Sequence, residues 1–213
     1  MFKQSLKPVR SIFKAQFISS VRSFSAAPTL NMRISQRIKD DHDTLRDEYN
    51  NIKNAKSADE KTRWRNQFTW DLARHSVGEE LVVYPEFERH LENGKAMADH
   101  DRAEHNEVKA YLATVQDMQI SDPTFDGHLD DLWKMLSKHM EEEEKNDLPA
   151  LEEELTTEDS DELSNSLERT KMFLPTKSHP HAPDKPPFET VAGLLATPID
   201  MLRDIFRKFP KEK

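Results

Sequence analysis

HSVGEELVVYP at residues 75–85 and HMEEEEKNDLP at residues 139–149 are two copies of one pattern. Each opens on a His, carries a Glu one helical turn later and a Pro ten residues after the His: His75, Glu79 and Pro85, then His139, Glu143 and Pro149. Another His precedes each copy at nearly constant distance, His42 by 33 residues and His105 by 34. A helix pair therefore repeats, and each repeat brings two histidines and one carboxylate. Imidazole and carboxylate together suit first-row transition metals, so the repeat predicts a metal site among four helices.

Working outward, apolar residues fall at helical spacing around these groups. A first helix is predicted from about Asn31 to Ala55, with Ile34, Ile38, His42, Leu45, Tyr49 and Ile52 on one stripe. A second runs from about Ser57, capped by Ser57 with Glu60, to His90, where Pro85 should kink or end it. Asn93-Gly94 makes a turn. A third helix spans about Ala96 to Met118 with Ala98, Asp101, His105, Val108 and Leu112 inward, and a fourth about Thr124 to Leu155 with His128, Leu132, Met135, His139 and Glu143 inward. Short connections favour antiparallel neighbours. The fold class is all-α, an up-down-up-down four-helix bundle over residues 31–156.

Beyond the bundle, Thr157 is expected to cap a short fifth helix over residues 157–173. LPTKSHPHAPDKPP at residues 174–187 reads as an extended linker whose His179 and His181 are spacers, and residues 188–213 as an amphipathic C-terminal helix. That tail is basic at its end, and its acidic residues and Pro198 favour docking on the bundle over lying on a membrane surface.

Composition narrows the function. With 33% charged and 35% hydrophobic residues and four glycines, the chain suits long amphipathic helices. It has no cysteine, so His, Asp and Glu must do any metal binding. No segment is apolar enough to span a membrane. Residues 1–39 hold eight basic residues and no acidic one, so the remainder carries −17 of a chain total of −9. The acidic body argues against a nucleic-acid partner. The basic, Ser-rich start over residues 1–30 looks like a mitochondrial transit peptide, and Arg22-Ser23-Phe24-Ser25 resembles a matrix-protease site. The expected location is the mitochondrial matrix.

Residues four apart on a helix share a face, so His75 with Glu79 and His139 with Glu143 can each offer two donors to one core. With His42 and His105 there are six donors. One zinc ion needs only four, and two carboxylates able to bridge make an inventory for two ions. In the EEEE run only Glu143 has the right phase, and Glu141, Glu142 and Glu144 read as a solvated face; Glu80 is likewise off-phase, a surface residue or an outer partner. No acid or base stands out beside the donors except Tyr49, about two turns from His42.

The order His, His-x3-Glu, His, His-x3-Glu over residues 31–155, with Pro85 and Pro149 closing the metal-bearing helices, resembles the HHE cation-binding branch of the hemerythrin family. The C-terminal segment is similar to that of fungal members. The resemblance implies a non-haem di-iron centre, two iron ions joined by an oxo or hydroxo bridge, with His42, His75, His105 and His139 terminal and Glu79 and Glu143 bridging. It implies binding of O2, NO or peroxide, or iron handling. Alternatives are an enzyme of the same fold that decomposes peroxide or oxidises Fe(II), and a metal-free helical interaction module. One departure stands out: oxygen-carrying hemerythrins place two inward histidines one turn apart on the third helix, and here Asp101 stands where the first belongs. Asp101 is expected inward as a further ligand or an acceptor behind a histidine. His100, about 140° around the helix from His105, is expected outside, with a place as a further ligand or outer partner as its lesser alternative.

Overall fold

A computed structural model describes residues 32–179, 200, 203–204 and 207–211 of the chain. The expected transit peptide over residues 1–30 and most of the expected C-terminal helix over residues 188–213 lie outside these residues. The described chain is helical, with no strand among the described residues: α1 (Ile34–Asn54), α2 (Ala58–Val82), α3 (Tyr84–His90), α4 (Gly94–Asp117), α5 (Phe125–Glu142), α6 (Leu148–Glu154) and α7 (Thr157–Lys171). None of these helices is long and apolar enough to cross a membrane.

Local chemistry sets the boundaries. Ser57 accepts the Glu60 N–H at 3.1 Å to start α2, and Glu60 in turn accepts the Lys56 N–H at 2.7 Å, so two unpaired donors at the helix start are satisfied. The cap of α7 is Thr156, which accepts from Asp159; Thr157 is the first helical residue. Pro85 breaks the second predicted helix into α2 and α3 at Val83. Pro149 acts differently. In a regular helix the residue at position 149 would donate to the carbonyl four residues earlier, which proline cannot do. Between α5 and α6 the chain forms a wide π turn, Glu143–Asp147, in which Leu148 N–H reaches back five residues to the Glu143 carbonyl. On α5 the inward positions are Leu129, Leu132, Leu136 and His139, so His128 and Met135, expected inward, are only partly buried.

α1 lies against α2, α2 against α4, α4 against α5 and α5 against α1, while α7 covers α1 and α2. Two apolar clusters form. One holds Leu45, Leu72, Val108 and Leu136; the other holds Ile38, Val83, Ala98 and Leu148. Along α1 the chain passes from the second cluster through His42 to the first. Along α2 it passes from the first through His75 and Glu79 to the second. α4 passes from the second through His105 to the first, and the chain from α5 into α6 passes from the first through His139 to the second at Leu148. The polar groups of four helices therefore share one layer between two apolar cores.

Gly94 shows how tightly α3 turns into α4. A Cβ there would stand 1.7 Å from the Phe87 carbonyl oxygen, a backbone atom that cannot move aside, whereas at Gly127 on α5 it would meet nothing. Gly94→Ala should cost about 3 kcal/mol in denaturant unfolding, and Gly127→Ala should be neutral or gain up to about 1 kcal/mol.

Candidate metal centre

Six side chains converge in the polar layer. His42, His75, His105 and His139 are 0–2% exposed, and Glu79 and Glu143 are 0% exposed. His75 Nε2 lies 3.3 Å from Glu79 Oε2, His105 Nε2 lies 3.5 Å from the same oxygen, and His42 Nε2 lies 3.4 Å from Glu143 Oε2. The Nε2 atoms of His105 and His139 are 3.0 Å apart. Donors sharing one cation at bond lengths of about 2.0–2.2 Å, at angles between square and tetrahedral, stand about 3 to 3.5 Å from each other. The spacing is that of donors facing a common centre.

Two donor groups in this layer share Glu79. His42, His75 and Glu79 bring donor atoms within 4.8 Å of one another, and so do Glu79, His105 and His139. Glu143 touches His42, and its charge acts on His139, four residues earlier in the chain. Among the buried atoms without a hydrogen-bond partner are six that a cation would take: His42 Nε2, His75 Nε2, both oxygens of Glu79 and both of Glu143. Burying such groups unpaired is expensive, so a pair of cations fits the residues present.

Three of the four histidines are also braced from behind by a hydrogen bond, and the fourth, His75, has a carboxylate facing its unpartnered Nδ1. The Nδ1 of His42 faces Glu144 at 2.8 Å, that of His105 faces Glu80 at 3.1 Å, and that of His139 faces Glu104 at 3.0 Å. His75 Nδ1 faces Asp41 at 3.5 Å, long for a hydrogen bond. A cation anchors each carboxylate: Arg46 on Glu144, Lys109 on Glu80, Lys138 on Glu104, and Lys171 of α7 on Asp41. The braces run in a ring. Asp41 on α1 serves His75 on α2, Glu80 on α2 serves His105 on α4, Glu104 on α4 serves His139 on α5, and Glu144 after α5 serves His42 on α1. Such outer carboxylates orient a ligating imidazole and leave Nε2 free to bind.

Sequence reasoning placed Glu144 on a solvated face, and the structure corrects this. The π turn lets consecutive residues reach one imidazole from two sides, Glu143 at Nε2 and Glu144 at Nδ1. Tyr49 is also misplaced as a proton carrier: it stacks on Trp133 and donates to Asp130, on the partly exposed flank. The tyrosine that enters the layer is Tyr84, fully buried against His105. Asp101 is 3% exposed, with Oδ2 unpartnered, and groups with Glu104 and His139. His100 is outside, its side chain 63% exposed. A cleft of about 140 Å³ between α1, α2 and α7 reaches His75, walled by Asp41, Asp71, Arg74 and Lys171. The C-terminal end lies along α2: Arg63 and Asn66 donate to the carbonyls of Phe209 and Lys208, and Lys208 pairs with Asp59. His179, expected to be a spacer, meets Asp200 at 2.8 Å.

Without a cation the layer holds protons. Burial lowers His75 and His105 to about 4, so both are neutral imidazoles. His42 and His139 go the other way: against burial, contact with Glu143 and Glu144 raises His42, and contact with Glu104 raises His139. Burial, then the neighbouring Glu143, drives Glu79 well up; burial, then the Asp147 and Glu143 charges, brings Asp101 to about 8. The sign of the pH effect follows. His75 and His105, lowered in the fold, lose their contribution only as pH falls below about 6.5. Raised groups contribute stability at low pH that is lost as pH rises toward the folded value. Above pH 6.5 the four raised groups all act in that direction. The chelated protein should therefore melt at lower temperature at pH 8 than at pH 6.5, by roughly 1 kcal/mol per pH unit for each group still titrating. Cation-loaded protein should show no such loss; a chelated melting point that holds or rises would remove these protons from the layer.

The comparisons with known proteins agree with this geometry. Residues 33–151 match the hemerythrin HHE cation binding domain. An uncharacterised hemerythrin-like protein of Schizosaccharomyces pombe is 55% identical over 179 residues, covering 84% of this chain and 88% of that protein. No solved structure matches. Matched over more than half its length, and sharing most of its sequence span with a hemerythrin-like relative, the chain belongs to the hemerythrin HHE cation-binding family.

Proposed function

We propose that the chain is a non-haem di-iron protein that binds O2, NO or peroxide in iron and oxidant handling. One iron is held by His42 and His75, the other by His105 and His139, with Glu79 and Glu143 between them and Asp101 on the His139 side. The observation that carries this is Glu79, whose buried, unpartnered carboxylate stands at donor distance from a histidine of each pair. Iron, when bound, supplies reversible electron exchange with small oxidants, chemistry that no side chain of this layer has alone. The protein's part is to hold the ions, exclude bulk water and keep each Nε2 aimed inward. The opposite order in which successive long helices meet the two cores supports an up-down-up-down bundle over residues 31–156. The acid-free N-terminus supports import into the mitochondrial matrix, which residues 1–30 fused to a fluorescent protein would test by colocalisation.

An enzyme reading is favoured by Asp101. A carboxyl that burial keeps largely protonated at neutral pH, beside His139, can hold or release a proton where peroxide would be cleaved. A metal-free module, by contrast, accounts for none of the unpartnered donors.

The test is metal analysis with an ultraviolet–visible spectrum of the full chain from iron-supplemented cells, beside a His75→Ala/His139→Ala double variant. About two irons per chain, with charge-transfer bands that the variant loses, is the expected result. Peroxide turnover by the loaded protein, against binding alone, then separates enzyme from carrier. Wild type that stays helical yet takes up no iron on reconstitution overturns the di-iron reading.

A further inference from the structure

Tyr84 enters the polar layer at the break before Pro85. Its ring is fully buried, packed on Phe87 and beneath the Arg102 guanidinium. The hydroxyl is 3.1 Å from His105 Nε2 and 3.4 Å from His105 Nδ1. A hydroxyl in line with the Nε2 lone pair would stand much farther from Nδ1, across the ring. Near-equal distances put it against the imidazole, where neither nitrogen presents a directed lone pair. Buried phenols ordinarily find a well-aligned partner, and His105 does not provide one.

The repeat adds a second observation. The residue before the proline is Tyr84 in the first copy and Leu148 in the second, and both are buried. The layer thus has a phenol at one copy's step and an aliphatic side chain at the other's. Apart from Asp101 beside His139, the remaining inward groups are poor donors. Each imidazole would give Nε2 to a cation, the Nδ1 atoms of His42, His105 and His139 face their own carboxylates, and Glu79 and Glu143 would be acceptors. A hydroxyl about 3 Å from the nitrogen that would hold the ion is within reach of whatever else that ion binds.

Building on the di-iron reading, we propose that Tyr84 donates its O–H to a small anionic ligand held on the His105–His139 side. It makes the two ions unequal and favours ligands with a lone pair facing the phenol.

Azide is the probe. Full-length ferric protein and a Tyr84→Phe variant are titrated with sodium azide, with iron content measured first, and resonance Raman spectra of the azide complexes are taken in H2O and D2O. The variant should keep its iron, bind azide about 10- to 100-fold more weakly, and lose a solvent-isotope shift of the azide stretch that the wild type shows. A role in packing alone would not move that shift. Equal azide affinity and equal isotope shifts in the two proteins overturn the proposal while leaving the di-iron centre intact. Absence of a shift in the wild type overturns it whatever the variant does. A chain that takes up no iron removes the di-iron reading and this proposal together.

Discussion

Glu79→Gln is expected to weaken both cation positions at once and yet to leave the metal-free chain more stable than the wild type. Glu79 is the residue common to the two donor groups, so one substitution removes a charged donor from each. Losing an inner carboxylate should lower iron affinity by on the order of 100-fold or more, above the tenfold to hundredfold typical of outer partners. The stability effect has the opposite sign. The carboxylate is 0% exposed, neither oxygen has a hydrogen-bond partner, and burial together with Glu143 already drives its pKa well up. Gln fills the same volume without a charge to desolvate, so the chelated variant should gain about 1–3 kcal/mol at pH 8. The gain should shrink toward pH 5, where the wild-type carboxyl is protonated in the fold at little cost. Iron content and chelated melting curves check both halves. A variant that is less stable when chelated and keeps its iron would make Glu79 a structural core residue.

The same opposition explains what could be read from the chain in advance. His42, His75, His105, His139, Glu79 and Glu143 were visible because inward positions recur every three or four residues and the pattern was duplicated. All six lie in the buried layer, as does Asp101, while His100 stays outside. Of the bracing carboxylates only Glu80 was offered as an outer partner, with a surface position as its alternative. Asp41, Glu104 and Glu144 were not visible, although each of the four is the chain neighbour of an inner residue: Asp41 beside His42, Glu80 beside Glu79, Glu104 beside His105, Glu144 beside Glu143. Consecutive helical residues point about 100° apart. Judged on its own helix, such a residue looks solvent-facing; its partner is a histidine of the next helix, and no single-helix pattern contains that contact. The π turn was hidden for a related reason. Pro149 announced a disturbance, but whether a helix breaks, as at Pro85, or widens depends on what packs around it. Here it is the widening that gives His42 two carboxylates. Tyr84 was hidden by its neighbour, since Pro85 drew the reading toward a helix end.

Glu144→Ala should therefore release one iron preferentially while leaving the fold in place. Its carboxylate links the Nδ1 of His42 to Arg46, with both contacts at 2.8 Å. Removing it leaves the imidazole free to rotate and removes the negative charge that favours Nδ1–H, so Nε2 is no longer held toward the cation. Affinity at the His42–His75 position should fall about 10- to 100-fold, seen as faster loss of about one iron per chain to a chelator. Because Glu144 is partly exposed, its loss should cost under about 1 kcal/mol of chelated stability. Glu141→Ala is the control, three residues earlier in the same acidic run and bound only to Lys145 on the surface. It alters the chain's net charge equally, so a long-range electrostatic effect on iron would appear in both variants and an orienting effect in Glu144→Ala alone. Matching iron loss from the two would reduce the ring of carboxylates to a field around the centre. Selective loss from Glu144→Ala makes each helix the support of its neighbour's ligand, so that iron affinity depends on how the helices pack against each other.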